Sequence, residues 1–495
     1  MGARVEADLA MASSEEGRVA AITGGCGYVG VRLALHLLSR GFRVRLLDVA
    51  PPHPEDAALL SAAAGTGPRL RVTLTSIADS GSVAVLRDAF SGCWAVFHLA
   101  SYGMSGSSML DGRRTWEVNW QGTRNVLAVS RAAGVPRLVY TSSYNAGFAG
   151  QPVEGGSEAR TPSALPWEHT DEYSRTKALA EALVLQANGT TTCGRRAESG
   201  CAEDGEARPG ADGAAGVAGA GGGPDAGTND GRSSAPFAPA VLYTCAIRTA
   251  GIYGPGERRH LPRTLRSANA ALGMPVARVG APSAKQDYIH VDDLAKAHLL
   301  AAEKLLAEGP WEAGLAAPAS TPFGAAPPVA PSPATSLPRP GVAAGQFYYV
   351  SDNDPINTLT FFEPLLNAFG LRLTAWHVPV APAYAFGYAN EVVCRAANLV
   401  VALLNALVIA VQERPFLTRT EVLKTAVMHW FSVQKAVDEL GFVPRNKTSL
   451  VDCGAVDVLL ASGLKQQLER ERKRRVRLLA VLAVVLFAWI VTKIA

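Results

Sequence analysis

VAAITGGCGYVGVRLALHLLSRGFRVRLLD, residues 19–48, decides how this chain folds. Val19–Thr23 is a short apolar run followed by glycines. Tyr28–Arg40 then places Val29, Leu33, Leu37 and Leu38 on one face of a helix, and Arg43–Asp48 reads as a second strand. A strand, a glycine loop and a helix in that order form an anion cradle. Gly24 allows the tight turn, Gly27 lets the backbone approach a pyrophosphate, and Gly30 lets helix and strand pack closely. The free N–H groups of the helix N-terminus face the anion. Tyr28 opens that helix and belongs to the expected contact set. Asp48 closes the second strand at the right distance to accept hydrogen bonds from the adenosine ribose hydroxyls. Its charge repels a 2′-phosphate, so NAD is expected rather than NADP.

Outward from this unit, strands are expected at Arg69–Leu74, Trp94–Leu99 and Arg137–Ser142, with helical patterns at 80–90 and 111–133. Strands alternating with helices imply parallel strands joined by right-handed crossovers. The expected architecture is a Rossmann-type, doubly wound α/β sheet with a smaller C-terminal substrate-binding lobe and a C-terminal transmembrane helix. The divisions follow composition. Residues 1–18 are a flexible start without a secretory signal, 19–188 the NAD-binding domain, and 189–239 a disordered Gly/Ala-rich insertion. The end of the sheet and part of the lobe fall at 240–308, a disordered Pro/Ala-rich insertion at 309–345, and the rest of the lobe at 346–464. A basic linker, 465–477, precedes the apolar run 478–495.

Tyr173-Ser174-Arg175-Thr176-Lys177 carries the second chemical signal. Thr170, Asp171 and Glu172 read as a helix start, so Tyr173 and Lys177 share one helical face. A free phenol has a pKa of about 10. A neighbouring ammonium and a cationic nicotinamide would lower it, letting Tyr173 accept an alcohol proton while hydride leaves for the cofactor. Lys177 can also hold the nicotinamide ribose. Ser143, at the end of the fifth strand, can bind the substrate oxygen.

The whole chain bounds the remaining readings. Of its 495 residues 48% are hydrophobic and 18% charged, and the net charge is only +4, so with no basic stripe interleaved with aromatics no nucleic-acid partner is expected. The seven cysteines form no CxxC pair and read as reduced thiols, and no metal site is expected. Residues 392–411 are apolar but carry Arg395, Asn398 and Asn405, and fit either a buried helix or one dipping into a membrane surface. Leu478–Ala495 would span roughly 27 Å as a helix, close to the ~30 Å hydrocarbon thickness, and the basic flank favours a cytosolic enzyme domain.

These motifs resemble the extended short-chain dehydrogenases/reductases. The branch is that of 3β-hydroxysteroid dehydrogenase/isomerase and sterol-4α-carboxylate 3-dehydrogenase, and the likeness to short-chain dehydrogenase/reductase family 42E is strong. It rests on TGGCGYVG (23–30), FHLASYGMSG (97–106), VNWQGT (118–123), LVYTSS (138–143) and YSRTKALAE (173–181). RTAGIYGPGERRHLPR (248–263), DYIHVDDLAKAH (287–298) and RPFLTRTEVLKTAVMHWFS (414–432) complete it. The resemblance implies Ser143, Tyr173 and Lys177 as catalytic residues. It implies Gly24, Gly27, Gly30 and Asp48 at NAD, Leu99 and Ala100 beside it, and Arg248–Pro255, including Ile252, near the nicotinamide and substrate. Asn119 takes the place of the family's structural or proton-relay Asn. Ser76, before Ile77, replaces an Asp near the adenine, and Thr249 replaces a Pro. The expected activity is oxidation of a 3β-hydroxyl on a sterol-like substrate at a membrane, with the endoplasmic reticulum as the expected place. A homodimer is left open. A nucleotide-sugar epimerase, a dihydroflavonol-like reductase and a non-catalytic membrane scaffold are the alternatives.

Overall fold

Strand β1 (Val19–Thr23) sends Ala20 and Ile22 into one apolar core and Ala21 into another, so the sheet is covered on both faces. The computed structural model describes residues 17–161, 163–191, 241–307, 339–405 and 418–494. After β1 come α1 (Tyr28–Ser39), β2 (Arg43–Asp48), α2 (Pro54–Ala64), β3 (Leu70–Leu74), α3 (Val83–Phe90) and β4 (Ala95–His98). Next, α4 (Gly112–Trp116) passes through one π-helical turn, Glu117–Gln121, into α5 (Gly122–Ala132). β5 (Arg137–Ser143), β6 (Val153–Gly156), α6 (Glu172–Gln186), β7 (Thr190–Thr191), β8 (Val241–Thr249) and β9 (Gly251–Tyr253) follow. The chain continues through α7 (His260–Asn269), β10 (Val276–Val279), β11 (Tyr288–His290), α8 (Val291–Glu303), β12 (Phe347–Val350), α9 (Thr358–Ala368) and β13 (Leu373–Val378). It ends with α10 (Val380–Asn405), α11 (Arg419–Ala426), β14 (His429–Phe431), α12 (Ala455–Ala461) and α13 (Leu464–Ile494).

The main sheet runs β12-β8-β5-β4-β1-β2-β3 with every neighbour parallel, and β7 lies antiparallel on β8. Strand order reverses between β1 and β4, which opens a crevice at the carboxyl ends of the strands. α1 and α8 pack on one face through Val31, Leu33, Leu37 and Leu294; α3, α5 and α6 pack on the other through Leu86, Phe90, Val126 and Val184. Full burial of each such large side chain contributes about 1.5–3 kcal/mol. A third core joins α7, α9, α12 and the start of α13 through Leu265, Phe361, Leu459 and Leu468, and forms the smaller lobe.

The doubly wound reading is borne out, with β1 and β2 at the expected bounds. Its division along the chain needs correction. β12, assigned by sequence to the lobe, is an edge strand of the main sheet, with Phe347 opposite Ala246. The first expected insertion begins later than 189, because Thr190 and Thr191 pair with Leu242 and Val241; residues 192–240 lie outside the described residues. Of the second, 309–338 lie outside them, while Gly341 donates to the Leu305 carbonyl at 2.9 Å and Ala343 is buried.

Segment 392–411 belongs to a helix that starts earlier, at Val380. Glu391 and Cys394 are buried there while Val392 and Val393 are exposed, so this part is amphipathic; residues 406–411 lie outside the described residues. The run 478–494 continues α13, but among the described residues no helix is long and apolar enough to cross a membrane. The expected span is therefore not borne out, and the side chains of most of 478–494 lie outside the described residues. Leu468 is 3% exposed and its carbonyl accepts from Asn269 Nδ2 at 3.0 Å, so the start of α13 is part of the fold rather than a linker.

Candidate active site

The glycine loop is shaped by backbone contact. Gly24 has φ +68°, and a Cβ there would stand 2.7 Å from the Ala100 nitrogen. At Gly30 a Cβ would meet the Gly24 carbonyl at 2.5 Å. Helix, loop and β4 close on one another only without those side chains. Asp48 accepts from the Cys26 amide at 3.0 Å and the Val49 amide at 2.7 Å, which fixes its carboxylate at the end of β2. Gly24, Gly27, Tyr28, Gly30, Asp48, Ser76, Ile77, Leu99, Ala100 and Ile252 all line one cavity of about 1210 Å³ together with Ser143, Tyr173 and Lys177. Ser76 Oγ accepts from the Ala78 amide at 3.2 Å, so this hydroxyl shapes its own loop as well as the cavity wall. A glycine cradle, an oriented carboxylate beyond it and a Tyr/Lys pair at the other end fit NAD.

α6 is capped by Asp171, whose carboxylate accepts from the Ser174 amide at 2.9 Å and the Ser174 hydroxyl at 2.7 Å. Lys424 lies 3.2 Å from the same carboxylate. That cap sets the helix so that Tyr173 and Lys177 both reach the cavity. Lys177 is 2% exposed; its ammonium donates to the Thr141 carbonyl and stands 4.2 Å from the centre of the Tyr140 ring. Burial pushes Lys177 down to about 7, against the pull of Glu181. Burial, reinforced by Asp171, pushes Tyr173 up to about 12. Arg259 and the hydrogen-bonding Ser143 hydroxyl pull Tyr173 down. The cation that acts on the phenol here is Arg259, which the sequence reading did not single out.

Two buried histidines hold this arrangement. His298 Nδ1 lies 2.8 Å from the Leu294 carbonyl, which can only accept, so Nε2 accepts from the Thr141 hydroxyl at 2.6 Å. Thr123 donates to the Asn119 carbonyl at 2.6 Å; His98 Nε2 then donates to Thr123 at 2.9 Å, and Nδ1 accepts from Thr23 at 2.7 Å. Asn119, in the π-helical turn, latches the Tyr102 backbone from both sides at 2.8 and 2.9 Å and donates to Thr176 on α6 at 3.0 Å. π-turns recur at functional sites. Asn119 here ties that site to α6.

Arg248 is not where the resemblance places it. Its guanidinium is fully buried, pairs with Glu181 at 2.6 Å, and bonds Tyr349 at 2.7 Å and Ser163 at 2.5 Å. It is absent from the cavity wall, which Thr249, Ala250, Gly251, Ile252 and Tyr253 provide instead. Alternation along the strand accounts for this, since the two faces of Arg248 and Thr249 are opposite. Past Tyr173 the cavity runs into the lobe between Val276, Val279, Phe361, Phe362, Leu373 and Val378. Arg263 and Lys424 also reach it, but Glu421 pairs with Arg263 at 2.8 Å and Asp171 with Lys424.

The family follows from sequence comparison. The model of the 3-beta hydroxysteroid dehydrogenase/isomerase family matches residues 21–202 and 235–317. The chain belongs to this family. It is 34% identical over 427 residues to short-chain dehydrogenase/reductase family 42E member 1 of Danio rerio, covering 86% of this chain and 84% of the relative. The human member 1 is 34% identical over 424 residues, covering 85% and 82%. A 3 beta-hydroxysteroid dehydrogenase/Delta 5→4-isomerase of Mycobacterium tuberculosis is 29% identical over 480 residues, covering 93% and 95%. Solved structures share the fold. An epimerase of Methanothermobacter thermautotrophicus has TM-score 0.54 at 15% identity, covering 93% of this chain and 97% of that one. The dTDP-glucose 4,6-dehydratase of Streptomyces venezuelae, with NAD and TYD bound, has TM-score 0.53 at 17% identity, covering 90% and 98%. The chain is thus a short-chain-type oxidoreductase by family.

Proposed function

We propose that this chain uses NAD to oxidise the 3β-hydroxyl of a steroid or sterol. The observation carrying the substrate class is the lobe end of the cavity, where Val276, Val279, Phe361, Phe362, Leu373 and Val378 form the wall and Arg263 and Lys424 are paired with Glu421 and Asp171, while Arg259 acts on the Tyr173 phenol. A fused-ring alcohol fits such a slot, whereas a nucleotide sugar needs free cations along it.

The chemistry divides among four side chains. Ser143 donates to the substrate oxygen and orients it toward Tyr173. Tyr173 takes the hydroxyl proton, while Arg259 stabilises its phenolate. Lys177, anchored on the Thr141 carbonyl, holds the ribose next to the nicotinamide. Asp48 holds the adenosine ribose. NAD supplies the acceptor for the hydride from the carbinol carbon, which becomes a ketone.

Residues 478–494 hold the protein on a membrane in this reading, with the enzyme domain on the cytosolic side of the endoplasmic reticulum. The apolar tail at the end of a basic helix supports it. Cutting the chain after Arg477 keeps the Asn269–Leu468 contact and should release the enzyme from the pellet on fractionation; retention in the pellet would remove the tail from the account.

The direct test of activity is NADH formation by the full chain across a panel of 3β-hydroxysteroids and sterols. Turnover of several members supports the reading. Turnover of nucleotide sugars alone overturns it.

A further inference from the structure

The cavity wall reaches the surface in the lobe. Pro275, Pro382 and Phe386 line it there and are also exposed, Phe386 at 56%. Beside them Met274 is 67% exposed and Trp376 62%. Val393, 65% exposed, lies two turns from Phe386 on α10 and so shares its face. The loop after α7, strand β13 and helix α10, each of which also lines the cavity, carry these uncovered large apolar side chains. A cluster of this kind marks a contact surface.

The charge beside it points to the partner. Asn269, at the end of α7, donates to Leu468 on α13, and the Arg472 guanidinium is the group nearest Gly273, 3.8 Å from where a Cβ would stand. Gly273 adjoins Met274. The rim is therefore flanked by the stretch Glu469–Arg477, in which Arg470, Arg472, Lys473, Arg474, Arg475 and Arg477, all but Arg472 exposed, outnumber Glu469 and Glu471. Aromatic and Met side chains at the acyl boundary, with cations level with the phosphates, form the pattern of a protein face lying on an anionic bilayer. Behind the rim the lobe wall carries Val276, Val279, Phe361, Phe362, Leu373 and Val378, so a molecule dissolved in lipid meets apolar side chains on its way inward.

We infer that the rim of Met274, Pro275, Trp376, Pro382 and Phe386 is the mouth through which the cavity opens onto an anionic lipid bilayer, and that apolar substrate enters and product leaves there. This rests on the proposed apolar substrate and is independent of whether residues 478–494 cross the bilayer. The full chain is bound to phosphatidylcholine/phosphatidylserine vesicles carrying brominated acyl chains, and its tryptophan fluorescence is compared with that of Trp376→Phe. Other tryptophans cancel in the difference. The expected result is a quenched component in the native chain that is missing in the variant and shrinks without phosphatidylserine. Equal quenching of the two overturns the inference, including in favour of a protein docked on the rim.

A second arm reads function. Met274→Ser with Trp376→Ser, neither of which lines the cavity, should slow oxidation of a vesicle-borne 3β-hydroxysterol about tenfold. A short water-soluble secondary alcohol should turn over as before. Equal effects on both alcohols, or on neither, overturn the mouth. If the native chain oxidises no alcohol at all, the dehydrogenase reading fails while the quenching result still decides the membrane face.

Discussion

Arg248 Nη2 lies 2.6 Å from Glu181 Oε1, and the two side chains are 0% and 1% exposed. The pair fastens β8 to α6, one helical turn below Lys177. A buried pair of this kind is costly to break on one side, because the partner's charge stays desolvated. Arg248→Met should destabilise the protein by about 3–5 kcal/mol. Adding Glu181→Leu should recover much of the loss. Chemical denaturation of the three proteins measures it; a double variant no more stable than the single one would show that the pair's charge is not the issue.

The cation nearest in effect to the proposed base is Arg259. Its removal as Arg259→Met should raise the pKa of Tyr173 further, so the alkaline rise of kcat/KM moves to higher pH. Tyr173→Phe should lack that rise and lose turnover while still binding cofactor. An unchanged pH profile in Arg259→Met would remove Arg259 from the account.

Asp48 should select the cofactor. Asp48→Ala should weaken NAD binding about tenfold or more, since a charged hydrogen-bond acceptor is lost. It should narrow the gap to NADP by removing the repulsion. Titration of both cofactors checks it, and tighter binding of NADP by the native chain would contradict the assignment.

The scaffold histidines should make the fold acid-sensitive. Burial lowers His98 to about 3 from 6.5. Below pH 6.5 the unfolded chain therefore takes up a proton that the folded chain refuses, and stability falls until the folded pKa is reached. Each such histidine adds up to about 1.4 kcal/mol per pH unit to that fall. His298 and His429, lowered by burial to about 4, add to it in the same direction. His98→Gln should flatten the dependence between pH 6.5 and 4 by about one proton. An unaltered slope would mean that His98 is already charged in the fold.

The glycine loop, Asp48 and the Tyr173/Lys177 helix were legible in the sequence because each is local. A turn, a strand end and an i, i+4 pair need no distant partner to be recognised. What escaped was long-range. Nothing near β12 signals that Phe347–Val350 joins β8 across a segment outside the described residues. Arg259 acts on Tyr173 only because α7 folds back over the cavity. Arg248 sits in a motif that the resemblance places near the nicotinamide, yet strand alternation turns its side chain into the core, where Glu181 meets it. The alternation was visible, but the partner that makes burial of a guanidinium tolerable was not.

Hydride transfer from a 3β-hydroxysteroid is the central claim, and isotope transfer tests it most directly. The full chain is incubated with NAD and a 3β-hydroxysteroid deuterated at the carbinol carbon, and the cofactor is analysed by mass spectrometry. The account predicts a deuterated reduced nicotinamide formed in step with the 3-ketone, and neither product with Tyr173→Phe. Ketone without deuterium on the cofactor, or equal transfer by Tyr173→Phe, would contradict it.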